Sequence, residues 1–301
     1  MSGAHRAQAI PRRDPQSPGV KLDTGTGRKS ITCTGQREGP GPDDSGFCLC
    51  CPRPGRVIPR RSLMRPNTMN VPVCVIVGAG PGNGAAFARR FTDAGYRVAL
   101  LARDRAALGT LETEVAGTRS YVCDATDTDA LGYAFTRIRE ELGPAEVLIY
   151  NASTRQFGDI DATDPASFEL AWRVNAYGCL AAVKAVLPDM RKAGAGNIVV
   201  IGATASWKGA TDFVAFASAK AAQRSLAQSL ARKLGPEGIH VAYVIIDAVV
   251  DMPASRRMFP DRPKEFFAQP ADIAASVFFL TQQARSAWTF ELDLRPFGEH
   301  W

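Results

Sequence analysis

Three glycines, Gly78, Gly82 and Gly84, stand in the stretch Gly78-Ala-Gly-Pro-Gly82-Asn-Gly84, directly after an apolar run over residues 71–77. Helical spacing begins just beyond them, at Ala85. Glycines between a strand and a helix permit a tight turn and let a pyrophosphate approach the backbone N–H groups at the helix N-terminus. The spacing is Gly-x-x-x-Gly-x-Gly rather than the plain Gly-x-Gly-x-x-Gly, but the physics is shared, and a dinucleotide is the expected ligand. A second apolar run, residues 97–102, ends in Ala102-Arg103. A carboxylate at that tip would hold ribose hydroxyls and repel a 2′-phosphate, whereas a guanidinium pairs with phosphate. NADP(H) is therefore the preferred cofactor, with a solvated Arg103 as the plain alternative. Asp104, next in the chain, keeps NAD(H) possible. Further on, Phe216-Ala-Ser-Ala-Lys220 sets an ammonium one helical turn after an aromatic ring.

Taken with the turn Gly202-Ala-Thr-Ala-Ser206 before them, these segments resemble the short-chain dehydrogenase/reductase family. Its signature is Tyr-x-x-x-Lys, with a serine thirteen residues before the tyrosine; Phe216 and Ala203 occupy those two positions. The resemblance covers residues 71–294. It implies that Lys220 binds the nicotinamide ribose and that Asn175 helps hold a water chain to Lys220. It also implies that Asp124 contacts the adenine, and that Asn151-Ala-Ser153, similar to the family's Asn-Ala-Gly, lines the cofactor. Phe216 donates no proton and Ala203 holds no carbonyl. Lys220, with a water relayed from Asn175, is then the proton path that survives. Thr204 stands where it can take over the orienting role of the serine, or it bonds the backbone as a turn hydroxyl, as Ser206 can. Tyr177 and Tyr243 read as packing residues. The family's Pro-Gly after the sixth strand is replaced by Ile246-Asp247-Ala248. Trp207, Phe213, Phe216, Met252, Met258 and Phe259 fall on segments that flank the family's substrate cleft, so an apolar pocket is expected.

Two functions follow. One is an NADP(H)-dependent oxidoreductase acting on a fairly apolar carbonyl or alcohol with an altered catalytic set. The other is a nucleotide-binding protein without dehydrogenase turnover, a sensor or scaffold.

The elements that must position these residues alternate. Apolar runs at 71–77, 97–102, 119–123, 147–150, 198–201, 239–246 and 288–294 are predicted strands. Helical spacing at 85–94, 104–116, 127–142, 165–192, 212–234 and 270–283 lies between them, with residues 253–267 expected as a mobile lid. The pattern predicts an α/β fold, a Rossmann-type doubly wound parallel sheet of about seven strands in a single domain over residues 69–301.

Residues 1–68 break the pattern. They hold 9 of the 20 prolines, 9 of the 27 glycines and 4 of the 7 cysteines, and 12 Lys and Arg against 5 Asp and Glu. Such a stretch buries too little apolar surface to offset its ordering entropy, and disorder is expected there. It reads as a natural extension or as sequence upstream of a functional start at Met69. The rest carries 24 Lys and Arg against 25 Asp and Glu, so the basicity belongs to the tail and implies no nucleic-acid face on the domain. Cys33, Cys48, Cys50 and Cys51, with only His5 nearby, lack paired Cys-x-x-Cys spacing, and no metal is expected. Cys74, Cys123 and Cys179 read as buried, reduced thiols. Without a long apolar run or a signal-peptide pattern, no membrane partner and a cytoplasmic location are expected. The partners implied are a small-molecule substrate and further copies of the chain, as a homodimer or homotetramer through the two long helices.

Overall fold

A computed structural model describes residues 71–154 and 156–298. The predicted boundary at residue 69 and the four tail cysteines with His5 lie outside the described residues. The strands are β1 (Val73–Val77), β2 (Arg97–Ala102), β3 (Thr118–Val122), β4 (Ala145–Tyr150), β5 (Gly196–Ala203), β6 (Ile239–Ile246), β7 (Val249–Val250), β8 (Phe267–Ala268) and β9 (Glu291–Leu294). The helices are α1 (Asn83–Asp93), α2 (Arg105–Glu114), α3 (Thr128–Glu141), α4 (Pro165–Trp172), α5 (Gly178–Ala193), α6 (Val214–Leu234), α7 (Pro253–Met258) and α8 (Pro270–Thr281).

Seven strands form one sheet in the order β3-β2-β1-β4-β5-β6-β9, with every pairing parallel. β1 and β6 are buried at every position, which is why their sequences run apolar without alternation. Alternate residues feed two cores. Val75 and Val77 join Phe135 of α3, Val183 of α5 and Ala227 of α6 on one face. Cys74 and Ile76 join Phe87 of α1, Leu108 of α2 and Val277 of α8 on the other. The strand order reverses between β1 and β4, and in open α/β sheets ligands bind at the carboxyl ends of strands flanking such a switch. Asp104, Asp127 and Asp164 accept backbone N–H groups as N-caps of α2, α3 and α4.

Two segments depart from the expected outline. The helix expected over 165–192 follows one continuous path, but residues Arg173–Tyr177 form a π-turn between α4 and α5. The Gly178 N–H reaches back five residues to the Arg173 carbonyl. Side chains serve the carbonyls in this widened turn: the Tyr150 hydroxyl donates to Val174 O, and Gln223 Nε2 donates to Asn175 O at 2.8 Å. Gly178 is required here, because a Cβ would lie 2.6 Å from the Tyr150 hydroxyl. Residues 253–267, expected as a lid, are tied down. β7 pairs with β8, and Asp251 holds Arg256 through two bonds of 2.7 and 2.9 Å. Gln269 Nε2 donates to the same carboxylate at 3.0 Å.

Cys74, Cys123 and Cys179 are free and buried, and burial pushes the Cys179 thiol up to about 12. Among the described residues no helix is long and apolar enough to cross a membrane.

Candidate active site

The glycine loop leaves the carboxyl end of β1 and opens α1. Gly78 has φ +91°, and a Cβ there would lie 2.6 Å from Ala152 Cα, so no side chain fits. Its N–H donates to Leu101 O at 2.8 Å, and its carbonyl accepts Asn151 Nδ2 at 2.7 Å. The tips of β1, β2 and β4 are thereby locked together around the loop. Gly84 packs against Ala79 with equally little room, and Gly82 (φ +107°) faces the Met252 side chain. No side chain caps α1; Ala85 N–H bonds Gly80 O at 3.0 Å, and among the described residues the N–H groups of Asn83 and Gly84 are left to an outside acceptor. Asn83 Oδ1 is buried without a hydrogen-bond partner. A cradle closed to side chains at Gly78 and Gly84, a helix N-terminus without a side-chain cap and an orphaned buried acceptor fit a dinucleotide, with the pyrophosphate over the loop.

At the tip of β2 the Arg103 side chain is 69% exposed, with Nη1 3.8 Å from Asp124 Oδ2. Asp104 Oδ1 accepts Ala107 N–H at 3.0 Å. That oxygen is the N-cap acceptor of α2. Asp124 Oδ1 accepts the Thr126 N–H and hydroxyl, each at 2.8 Å, which fixes the loop after β3.

Lys220 is 3% exposed, and its Nζ donates to Ile201 O at 2.9 Å and to Gln223 Oε1 at 3.0 Å. Asn175, fully buried, gives Nδ2 to Ala171 O and receives the Ser153 hydroxyl on Oδ1, both at 2.9 Å. Gln223 links the two, holding the lysine through its amide oxygen and the asparagine's carbonyl through its amide nitrogen. The Asn175 side chain itself is directed to Ala171 and Ser153. Phe216 occupies an apolar nest with Ala203, Ala205, Phe213 and Ala217.

A profile of the short chain dehydrogenases matches residues 72–261. This chain belongs to that family. An uncharacterized oxidoreductase of Staphylococcus saprophyticus is 26% identical over 229 residues, covering 74% of this chain and 97% of the relative. The 3-oxoacyl-[acyl-carrier-protein] reductase MabA of Mycobacterium tuberculosis is 27% identical over 221 residues, covering 70% and 86%. Among solved structures, a short-chain dehydrogenase from Rhodopseudomonas palustris is similar at TM-score 0.66 and 33% identity, covering 76% of this chain and 100% of that one. A metagenomic short-chain oxidoreductase in complex with NADP is similar at TM-score 0.67 and 27% identity, covering 77% and 100%.

In this short-chain dehydrogenase the hydroxyls near the altered positions are engaged. Thr204 Oγ1 donates to Asp247 Oδ1, and Arg295 Nη2 lies 3.7 Å from the other oxygen of that carboxylate. Asp293 pairs with the same arginine. Asp247 stands where the family has Pro-Gly, so the substituted loop supplies Thr204 with its acceptor. Ser206 and Ser218 donate to the carbonyls of Ala203 and Val214, both at 2.7 Å. Tyr243 is buried against the sheet, which drives its phenol pKa up, and Tyr177 stacks on Trp172.

Of the expected pocket residues, Phe213 and Phe216 meet edge-to-face at 6.0 Å. Trp207 and Met258 face outward, and Phe259 packs on Phe266. Phe157, which carries no sequence signal, completes the wall: it stacks on Phe213 at 5.1 Å and meets Phe216 edge-on at 5.8 Å. Its loop is zipped to the start of α6 by Gly158 N–H to Asp212 O at 2.7 Å and Val214 N–H to Gly158 O at 3.3 Å.

Proposed function

We propose that this protein is an NADP(H)-dependent oxidoreductase that transfers hydride to or from a fairly apolar carbonyl or alcohol, with an altered catalytic set. The observation that carries the reading is the buried Lys220–Gln223–Asn175 linkage beside a glycine cradle that admits no side chain at Gly78 or Gly84. An ammonium held in place at such cost in desolvation is hard to account for in a pure scaffold. Gly78, Gly82 and Gly84 would seat the pyrophosphate, Asp124 the adenine side, Arg103 the 2′-phosphate, and Asn151 with Lys220 the nicotinamide side. When bound, the dinucleotide supplies or receives the hydride.

The chain's own residues do the rest. Lys220 presents positive charge, Asn175 holds the helix turn that positions Gln223, and the three phenylalanines exclude water. A general acid contributes about 10²–10⁴-fold, or roughly 3–5 kcal/mol of barrier, and neither Phe216 nor Ala203 provides it. Carbonyl turnover is therefore slow. The apolar nest at these two positions favours the second reading, a nucleotide-binding protein without turnover. The NADP complex of the metagenomic relative and the reductase activity named for the mycobacterial one support the first. The working assembly is a homodimer or homotetramer.

Calorimetric titration tests the cofactor assignment. NADPH binds the unmodified protein about tenfold or more tighter than NADH, as a charge-assisted phosphate contact predicts, and Arg103→Asp reverses the order. Equal affinities in the unmodified protein would show that Arg103 is only solvated.

A further inference from the structure

We infer that this site has a further activity, reduction of a preformed planar iminium ion, with the cation facing Phe157, Phe213 and Phe216 and its N–H received by the Thr204–Asp247 pair. The inference rests on the hydride-transfer reading given above and concerns which acceptor the altered residues suit.

The first argument is hydrogen-bond polarity. A carbonyl oxygen gains negative charge as it is reduced and needs donors. The two positions where the family places hydroxyls hold Phe216 and Ala203, and Thr204 has spent its one proton on Asp247. Thr204 and Asp247 lie at the carboxyl ends of neighbouring strands β5 and β6, on the cofactor side of the sheet. What they can offer a ligand is lone pairs. Ser206 and Ser218, the other nearby hydroxyls, are bound to backbone carbonyls. At Ala203, Thr204, Phe216 and Asp247 the site offers acceptors and no free hydroxyl proton, and an iminium N–H is a donor.

The second argument is the aromatic wall. Phe157 is 53% exposed, yet it is held by one stacked contact with Phe213 and one edge-to-face contact with Phe216, which themselves meet edge-to-face. A half-exposed ring fixed in this way leaves aromatic surface open to a ligand, and aromatic faces attract cations. The nearby protein cations are already engaged: Lys220 by Ile201 O and Gln223, and Arg295 by Asp247 and Asp293.

The third argument is balance. One hydride from a reduced nicotinamide forms a C–H bond at the iminium carbon. The C=N π pair moves to nitrogen, and a neutral amine leaves. No proton enters, so the missing tyrosine costs this reaction nothing.

The test uses the full chain saturated with NADP⁺ and three ligands of one shape: 3,4-dihydroisoquinolinium, its N-methyl derivative and the neutral ketone 1-tetralone. Calorimetry reads binding, and NADPH consumption by the unmodified protein is followed in parallel. Both cations are expected to bind about fivefold or more tighter than the ketone, and to be reduced faster. Phe157→Leu lowers affinity for both cations. Thr204→Val lowers affinity for the N–H cation and spares the N-methyl one, a split that a general loss of structure would not produce. Tetralone binding as tightly as the cations, with NADP⁺ bound, overturns the inference and leaves the hydride-transfer reading standing. Failure of NADP⁺ to bind overturns that reading and the inference with it.

Discussion

A ring without a hydroxyl at position 216 separates two tasks that one helix turn combines in most of this family: holding the cofactor and moving a proton. Lys220 still holds its place, donating to Ile201 O and Gln223, while Phe216 lies among alanines and phenylalanines. Restoring the phenol is nearly isosteric, and a cation one turn away lowers a phenol's pKa toward a useful value. Phe216→Tyr, alone or with Ala203→Ser, is therefore expected to raise ketone reduction by at least about tenfold. Lys220→Ala should abolish what activity the unmodified protein has and weaken NADPH binding. Steady-state assays over a ketone and aldehyde panel decide the matter. Ordinary ketone turnover in the unmodified protein, insensitive to Lys220→Ala, would mean that another residue carries the proton.

At the scale of elements, the strands and glycine loop were legible because their signals are local. A continuous apolar run means a strand buried on both faces, and glycines after it mean a close backbone approach. The π-turn at Arg173–Tyr177 was not legible. Small residues such as Ala176, Gly178 and Cys179 crowd that stretch and blur the helical phase that one inserted residue shifts. Gln223 was missed because a glutamine on a helix reads as solvated; its one signal is its place three residues after Lys220 on the same face. Phe157 lies in a loop, where no periodicity marks burial or exposure. All three also act through partners distant in sequence: the π-turn and Gln223 through each other, and Phe157 through Phe213 and Phe216. The consequence can be measured. Gln223→Leu deprives Lys220 Nζ of an acceptor and Asn175 O of a donor, both buried. Unsatisfied buried groups cost about 1–3 kcal/mol each. For a domain of this size, each kcal/mol lowers Tm by about 2–4 °C, so a fall of at least about 4 °C is expected. NADPH affinity should fall with it. Tyr150→Phe, which removes only the bond to Val174 O, should cost less and leave cofactor affinity intact. Thermal melts and calorimetry of both variants provide the check, and a Gln223→Leu protein indistinguishable from the unmodified one would remove Gln223 from the site.

For the molecule as a whole, charge and apolar surface are distributed very differently. The excess of Lys and Arg lies in residues 1–68, and the remainder is close to neutral. The exposed apolar side chains of the described residues include Phe168, Leu170, Trp172, Tyr177 and Leu180, all on α4, the π-turn and the start of α5. Trp172 and Tyr177 stack on one another at 5.8 Å while open to solvent. A cluster of exposed apolar side chains around a solvent-open aromatic stack is the kind of surface that serves association, whereas scattered apolar residues are not. A pair of helices that presents the same patch in every copy suits a two-fold contact in which each subunit meets itself. Folding and assembly should then both reside in residues 69–301, with the basic stretch contributing to neither. A chain beginning at Met69 is expected to melt cooperatively at the temperature of the full chain, to bind NADPH equally well and to sediment as a dimer or tetramer. Adding Trp172→Arg with Leu180→Glu to that shortened chain should yield a folded monomer, because both side chains are exposed and the changes place charge where the expected contact would bury apolar surface. Sedimentation velocity and circular dichroism together decide it: loss of cooperative melting in the shortened chain, or an unchanged oligomer in the doubly substituted one, would show that the tail or another face holds the molecule together.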